Sequence, residues 1–133
     1  MMQKVVIDTN VVVSSNLVST GNPTEIMRLF YAGVLQLFYT SEILAEYKRV
    51  LAYKKFNFAI ETQAAIISAI EIGGVQIAPS TSTIPFSDEA DRIFYDTAKS
   101  SDAILITGNM KHYPVDSLIM TPAEFIYKLN ASI

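Results

Sequence analysis

The chain has 133 residues, of which 50% are hydrophobic and 17% are charged, a balance typical of one compact globular domain over residues 1–133. It contains no cysteine and a single histidine, which excludes disulfides, thiolate metal sites and a histidine-rich zinc site. The formal net charge of −3 argues only mildly against a nucleic-acid partner, because carboxylates that hold divalent cations produce the same acidity.

No apolar run reaches the roughly 18 residues that a membrane helix needs. The first residues, MMQKVVID, lead directly into an apolar segment and lack the charged, apolar and small-residue regions of a signal peptide. The sequence therefore predicts a cytoplasmic protein without a membrane partner.

Strands and helices alternate along the chain. Short apolar strands are predicted at 4–7, 35–39, 75–78, 103–106 and 118–120. Helices are predicted between and after them, at 22–31, 41–53, 60–72 and 87–100 and from 121 onward. The predicted helix caps are Asn22, Ser41, Ser87 or Asp88, and Thr121. This pattern predicts an α/β fold whose central sheet is mostly parallel, has four to five strands and is covered on both faces.

The stretch VVIDTNVVVSS places Asp8 at the carboxyl end of the first predicted strand, inside one of the most apolar segments of the chain. Burying an ionised carboxylate without compensation costs on the order of several kcal/mol. After Lys4, no basic residue lies nearby in the sequence to supply the opposite charge. Ligands bind outside the carboxyl ends of parallel strands, so Asp8 is placed for a binding site.

Two further acids, Glu46 and Asp91, lie at the borders of apolar helix stripes rather than in the middle of polar faces. Each alone has an ordinary explanation, as a surface residue or as a favourable charge in a first helical turn. Together with Asp8 they would repel one another unless a cation lay among them, which favours Mg²⁺ or Mn²⁺. Asp88 lies near the same face, further toward solvent, and is otherwise a helix cap.

The fourth predicted strand runs into Thr107, Gly108 and Asn109, which places a hydroxyl and an amide at the same edge of the sheet. A simple turn explains the Gly-Asn pair equally well. The segment therefore supports a site at this edge only in combination with Asp8.

Candidate RNA contacts are basic residues near aromatic or acidic ones. The segment KRVLAYKKFNF interleaves Lys54 and Lys55 with three aromatic residues, which suits a single strand, although a solvated helix face with its aromatics in the core explains the same pattern. Arg92, next to Asp91, could contact a phosphate. His112 could do the same from its loop, with packing in the core or in a turn as the alternative.

These segments together resemble the PIN-domain ribonucleases, specifically the toxin components of bacterial toxin–antitoxin pairs. The resemblance is carried by VVIDTNVVVSS, TSEILAEYKRVL, DEADRIFYDTAKSSDAILITGN and the KHYP that follows, and it extends from Val5 to the final TPAEF. It implies a three-layer α/β/α sandwich and cleavage of RNA that depends on Mg²⁺ or Mn²⁺. A cognate antitoxin protein and a homodimer are further implied partners.

The resemblance also assigns the site. Four positions of the family's acidic site fall on catalytic residues here, the first three of them metal ligands: Asp8, Glu46, Asp91 and Asn109. The family often has a second Asp at the fourth position, so Asn109 removes a negative charge and leaves a second metal in question. Thr107 before it and Asp88 are auxiliary candidates, and Asp88 could compensate for the lost charge. The implied chemistry is activation of a water molecule that attacks the scissile phosphate in line.

Two other functions remain alternatives. A phosphatase of the haloacid dehalogenase type also has an Asp after its first strand, but it needs a second Asp two residues later, where this chain has Asn10. A non-catalytic PIN-like module that binds RNA or an antitoxin is the stronger alternative, because Asn109 departs from the family pattern. Metal-dependent turnover distinguishes such a module from a nuclease.

Overall fold

The computed structural model describes residues 2–131. Within this range the chain forms one parallel sheet from the strands β1 (Gln3–Ile7), β2 (Leu35–Tyr39), β3 (Val75–Gln76), β4 (Ile104–Ile106) and β5 (Ile119–Met120). The strand order is β3-β2-β1-β4-β5, and every neighbouring pair is parallel. The order therefore reverses between β1 and β4, where a ligand site is expected in a sheet of this kind.

Helices cover the sheet. Those described in residues 2–131 are α1 (Thr9–Leu17), α2 (Asn22–Tyr31), α3 (Ser41–Leu51), α4 (Ile60–Gly73), α5 (Arg92–Ser101) and α6 (Pro122–Ala131). Helix α5 packs on β1, β2 and β4, while α2 and α4 pack on β2 and α6 packs on β5. The predicted α/β/α sandwich with a parallel sheet is confirmed. In the part of the chain that the structure describes, no helix is long and apolar enough to cross a lipid bilayer.

The central strands are buried on both faces. Val5, Val6 and Ile7 of β1 are 0% exposed, as are Leu105 and Ile106 of β4. Because helices lie on either side, these strands are continuous apolar runs rather than alternating ones, and this makes them recognisable in the sequence. Ile7 pairs with Ile106 in the sheet, which brings the carboxyl ends of the two strands side by side.

Helix α1 is an element that the sequence analysis does not predict. Its sequence, TNVVVSSNL, is rich in valine, a residue that favours strands over helices when packing is ignored. Val11, Val12 and Val13 are buried, and the helix packs on α2 and α3. Burial of these side chains therefore outweighs their weak helix propensity, and the chain turns sharply after Asp8 instead of continuing as a strand.

The starts of two helices differ from the prediction. Gly21, rather than Asn22, occupies the cap position of α2, and Asn22 is the first helical residue. Thr40, rather than Ser41, caps α3: its side chain accepts a hydrogen bond from the Ile43 backbone N–H at 3.0 Å. In both cases the capping position lies one residue earlier than the sequence pattern suggests.

Two other predicted caps are confirmed. Asp88 accepts the Ala90 backbone N–H at 3.0 Å, at the start of a short 3₁₀ turn that continues into α5. Thr121 and Glu124 form a reciprocal capping box before α6, with distances of 2.8 Å from the Thr121 N–H to Glu124 and 3.1 Å from the Glu124 N–H to Thr121. Such caps typically contribute about 1 kcal/mol each.

Candidate functional site

The candidate site lies where the carboxyl ends of β1 and β4 meet. Asp8 follows β1 directly, and Thr107 follows β4. The Asp8 backbone N–H donates to the carbonyl oxygen of Ile106 at 2.9 Å, which extends the strand pairing to the edge of the sheet. Asp8 and Thr107 are thus neighbours in space, although 99 positions separate them along the chain.

The Asp8 carboxylate is almost completely buried and accepts two hydrogen bonds on the same oxygen. The Thr107 hydroxyl donates to Oδ2 at 2.7 Å, and the Tyr113 hydroxyl donates to Oδ2 at 3.1 Å. Burial raises the pKa of Asp8; the two hydrogen bonds lower it by less, so the pKa stays above its ordinary value. The N-terminal end of α1, which begins at the next residue, favours the negative charge.

The segment after β4 is tied to the start of α1. The fully buried hydroxyl of Thr107 accepts the Asn109 backbone N–H at 3.0 Å while it donates to Asp8. The Gly108 backbone N–H donates to the side-chain oxygen of Asn10 at 3.2 Å. These contacts give Asn10 a structural role and leave the side chain of Asn109 at the exposed rim.

Glu46 approaches the same edge from α3. It accepts a hydrogen bond from the Thr9 hydroxyl, and its Oε1 lies 3.8 Å from Nη2 of Arg49. The Glu46 side chain is 21% exposed, in agreement with the border position predicted from the helical spacing. The turn between β1 and α1 therefore positions two carboxylates, Asp8 directly and Glu46 through Thr9.

Asp91, in the turn before α5, completes a cluster of four carboxylates, here called the acidic group: Asp8, Glu46, Asp88 and Asp91. Its Oδ2 is buried without a hydrogen-bond partner, although Nδ1 of His112 lies 3.3 Å away, close enough for an ion pair when the imidazole is protonated. Burial raises the pKa of Asp91 to about 6, with further contributions from the negative charges of Asp8, Asp88 and Glu46 and an opposing one from His112. The negative charges of the three other carboxylates therefore disfavour ionisation of Asp91.

All of these acids line one open cavity of about 510 Å³. The acidic part of the lining consists of Asp8, Glu46, Asp88 and Asp91. Polar and imidazole groups beside it include Thr9, Asn10, Ser14, Asn109 and His112. Another part of the lining is aromatic and basic: Arg49, Tyr53, Lys55 and Phe56. The cavity thus combines groups that attract a cation with groups that attract an anion.

The residues fit a hard divalent cation by the chemistry of their donors. Within residues 2–131 no three acidic or histidine side chains already converge as a metal cage. The buried Oδ2 of Asp91 nevertheless accepts no hydrogen bond, and burial together with the neighbouring carboxylates raises the pKa of Asp91. A cation with oxygen ligands would supply the missing partner and remove the mutual repulsion.

The structure brings most of the predicted site residues to the cavity, but not all. The lining includes Asp8, Glu46, Asp88, Asp91, Asn109, Lys55 and His112, and Thr107 lies buried beneath Asp8. Arg92 and Lys54 are not among the lining residues. The Arg92 guanidinium instead binds the carboxylate of Glu89 at 2.8 and 2.9 Å and the backbone and hydroxyl oxygens of Ser82 at 2.9 and 3.0 Å.

Tyr113 is a site residue that the sequence analysis does not identify. It lies in the quoted KHYP segment, and its buried hydroxyl points at Asp8 from 105 positions away. The ring packs edge-on against Phe86, with ring centroids 6.2 Å apart at 81°. In the sequence, Tyr113 is an aromatic residue in an otherwise polar loop that follows the predicted site. This pattern alone does not distinguish a tyrosine that packs from one that donates a hydrogen bond.

Comparison with known proteins agrees with this geometry. Residues 4–111 match the family described as PIN domain. The chain is also 29% identical, over an alignment of 145 positions, to the uncharacterized protein MJ1680 of Methanocaldococcus jannaschii; the similarity covers 98% of this chain and 94% of that protein. The family match spans most of the chain and includes all four carboxylates of the cavity. The chain belongs to the PIN-domain family, whose members are generally nucleases that use divalent metal ions.

Proposed function

We propose that this protein is a ribonuclease that depends on Mg²⁺ or Mn²⁺ and holds the cation with Asp8, Glu46 and Asp91. The observation that carries the proposal is the Oδ2 of Asp91, which is buried in an open cavity and accepts no hydrogen bond. Burial, together with the charges of the neighbouring carboxylates, raises the pKa of Asp91 to about 6. A protein that only needed a stable fold at this edge would gain by replacing such a group with a neutral one.

The residues of the chain have distinct roles in this proposal. Asp8, Glu46 and Asp91 would hold the divalent cation, which would supply a water nucleophile and stabilise the charge that builds on the phosphate. Thr107 and Tyr113 hold Asp8 through its Oδ2, and Thr9 holds Glu46, so that both carboxylates are oriented before a ligand arrives. Pre-orientation of this kind reduces the reorganisation that binding and catalysis require.

Asn109 is the weakest ligand candidate. Its side chain lies at the cavity rim and can offer an amide oxygen, but it contributes no negative charge. Asp88 lies near enough for its charge to raise the pKa of Asp91, which supports a compensating role. One Asp88 oxygen accepts the Ala90 N–H, so the other is the candidate ligand. We infer one cation held firmly and a second one held weakly.

We further propose that the protein is the toxin of a toxin–antitoxin pair, since PIN domains include such toxins. RNA in the cytoplasm is then the substrate, and a cognate antitoxin protein is the partner. A homodimer is a further expected assembly. Size-exclusion chromatography of the chain alone and together with the product of the neighbouring gene tests both expectations.

The proposal is tested by cleavage of a mixed RNA pool in Mg²⁺ or Mn²⁺, with EDTA as a control and Glu46→Gln as the variant. We expect fragments with either metal and none in EDTA. Glu46→Gln should lower the cleavage rate at least about 10-fold, because it keeps the shape of the side chain and removes the charge. The matched control is Glu61→Gln, at an exposed position of α4 outside the cavity lining, which should cleave like the wild type.

Two results would count against this function. Cleavage that persists in EDTA would exclude metal dependence. Intact RNA in both metals, with a folded protein that still binds Mn²⁺, would favour the second candidate, a non-catalytic module that binds RNA or an antitoxin. The observation that favours this second candidate is Asn109, which supplies an amide where the family often has a carboxylate.

Tyr113→Phe tests whether the hydrogen bond from Tyr113 to Asp8 strengthens metal binding by the Asp8 carboxylate. The variant keeps the ring against Phe86 and removes one of the two hydroxyl donors to Asp8. Because this hydrogen bond lowers the pKa of Asp8, its loss raises that pKa further, and the ionised form that a cation needs becomes less favourable. We expect about 10-fold weaker Mn²⁺ binding by isothermal titration calorimetry.

The matched control for that variant is Tyr95→Phe. Tyr95 is also buried and also packs against Phe86, with ring centroids 5.6 Å apart, but it does not line the cavity. Its loss of a hydroxyl should leave Mn²⁺ binding unchanged. Equal weakening in both variants would assign the effect to the packing around Phe86 rather than to Asp8.

A further inference from the structure

Three aromatic rings form a stack at the edge of the cavity, here called the aromatic stack: Tyr53, Phe56 and Phe58. The rings of Tyr53 and Phe56 are nearly parallel, with centroids 6.2 Å apart at 16°. Those of Phe56 and Phe58 are 5.7 Å apart at 22°. The aromatic stack begins just after α3. This helix was predicted to continue to Tyr53 but ends at Leu51, and a separate turn, Lys54–Phe56, follows it.

The aromatic stack is buried at one end and open at the other. Phe56 and Phe58 are partly buried and pack against the hydrophobic core. Tyr53 is 39% exposed, and both Tyr53 and Phe56 line the cavity. A core role accounts for the two phenylalanines but not for the tyrosine. The outermost ring is therefore available to a flat ligand that enters the cavity.

Two cations accompany the open end. The Arg49 guanidinium lies 5.9 Å from the centroid of the Tyr53 ring and donates a hydrogen bond to its hydroxyl. Nζ of Lys55 lies 5.2 Å from the centroid of the Phe56 ring. Nη2 of Arg49 is also 3.8 Å from Oε1 of Glu46, so the guanidinium stands between the acidic group and the aromatic stack.

The order of these groups follows from their positions along the chain. Glu46 and Arg49 are three residues apart on one side of α3. Tyr53 lies just beyond the end of the helix, where its hydroxyl accepts a hydrogen bond from Arg49. A carboxylate, a cation and an aromatic ring therefore follow one another from the acidic group outward.

We propose that the aromatic stack is a binding subsite for an unpaired nucleotide next to the scissile phosphate, with its base on Tyr53 and its phosphate near Arg49 and Lys55. The inference rests on the proposed ribonuclease function, since it takes RNA as the occupant of the cavity. Stacking on an aromatic ring accepts any base, and a basic groove beside it follows the backbone. A base inside a duplex has both faces covered by its neighbours, so the subsite selects single-stranded RNA without selecting a sequence.

The test is binding of a short single-stranded RNA of mixed sequence that carries 2-aminopurine at one position, measured in EDTA so that cleavage does not interfere. Stacking of 2-aminopurine on a ring quenches its fluorescence. We expect quenching with the wild type, and a roughly 5- to 100-fold higher Kd with reduced quenching in Tyr53→Leu. Tyr53→Phe should keep both the affinity and the quenching, because it keeps the ring.

The matched control is Tyr127→Leu. Tyr127 is 78% exposed on α6 and does not line the cavity, so this variant should bind and quench like the wild type. The same RNA annealed to its complement should bind more weakly, and its Kd and fluorescence should be the same with the wild type and with Tyr53→Leu. Thermal melting of each variant confirms that the exposed positions leave the fold intact.

The outcomes separate this inference from the proposed function. Equal affinity and quenching in Tyr53→Leu and wild type would overturn the subsite, as would equal losses in Tyr53→Leu and Tyr127→Leu or a wild type that binds no single-stranded RNA. The proposed function fails independently, if RNA is never cleaved with any divalent metal. Tyr53-dependent quenching without cleavage would thus keep the subsite and reject the nuclease.

Discussion

Asp91→Asn is expected to lower kcat/KM for metal-dependent RNA cleavage by at least about 100-fold while the protein remains folded. Removing groups that merely support a metal ligand commonly costs about 10- to 100-fold, and Asp91 is proposed as a ligand itself. Its Oδ2 accepts no hydrogen bond, so the substitution removes only the ion pair that this atom forms with His112 when the imidazole is protonated. The effect should therefore appear in activity rather than in stability.

Stability is the second measurement on the same variant. Burial and three neighbouring carboxylates raise the pKa of Asp91 to about 6, so the ionised form is disfavoured in the folded state. An amide removes that unfavourable charge. In EDTA at about pH 7.5, where Asp91 is ionised, the variant should have a Tm equal to or higher than the wild type. Lost activity combined with a retained Tm would assign the defect to the carboxylate.

The matched control is Asp102→Asn. Asp102 is exposed after α5 and has φ of 54°, a left-handed conformation that asparagine also adopts readily. The Asp102→Asn variant should therefore cleave RNA at the wild-type rate and unfold at the wild-type Tm. If Asp91→Asn cleaved RNA as fast as Asp102→Asn, Asp91 would not be a metal ligand and the proposed site would need another third acid.

Mn²⁺ should raise the Tm of the wild type more at about pH 7.5 than at about pH 5. The cation binds the ionised carboxylates, and at the lower pH Asp91 is mostly protonated because its pKa is about 6. A ligand present at about 100 times its Kd stabilises a protein by about 2.7 kcal/mol, which corresponds to a rise of several degrees in Tm. Differential scanning fluorimetry with and without Mn²⁺ at both pH values measures the difference.

The sign of the pH effect without metal follows from the same pKa. The folded state holds a proton on Asp91 up to about pH 6, whereas the ordinary pKa of 3.8 means that the unfolded state loses it earlier. Between these values the folded state binds more protons, so the contribution of Asp91 to the free energy of unfolding decreases as the pH rises. Mn²⁺ should reverse this loss above about pH 6 because it replaces the proton.

Asp91→Asn provides the control for both pH effects. The variant lacks the titrating group, so it should show a flatter dependence of Tm on pH between about pH 4 and 6. Its Tm should also rise less with Mn²⁺ at about pH 7.5. An equal rise in Tm at both pH values, or the same rise in the variant as in the wild type, would show that the cation binds elsewhere.

The sequence indicates the fold and the acidic group because both depend on local patterns. Short apolar strands separated by helices are visible without any tertiary contact, and they predict the parallel sheet that is confirmed. Asp8 is conspicuous in the sequence because a carboxylate after a buried strand has no ordinary explanation. Glu46 is recognisable because its position relative to the apolar stripe of α3 follows from helical spacing alone.

The features that escape prediction depend on partners far away in the chain. Helix α1 exists because three valines pack on α2 and α3, and local propensity points to a strand. Tyr113 reaches Asp8 across 105 positions, which no periodicity reveals. Arg92 is adjacent to Asp91 in sequence, but its side chain binds Glu89 and Ser82, because successive residues of a helix point in different directions.

The two hydroxyl donors to Asp8 also bear on when the acidic site can form during synthesis of the chain. Asp8 is synthesised before Thr107 and Tyr113, which follow it 99 and 105 positions later. Until β4 has emerged, a nascent chain contains Asp8, Glu46 and Asp91 without the central strand that aligns their sheet edge. Pairing between distant strands is slow as well as late. The Asp8 carboxylate therefore acquires both of its hydroxyl donors only after the chain has been synthesised through Tyr113.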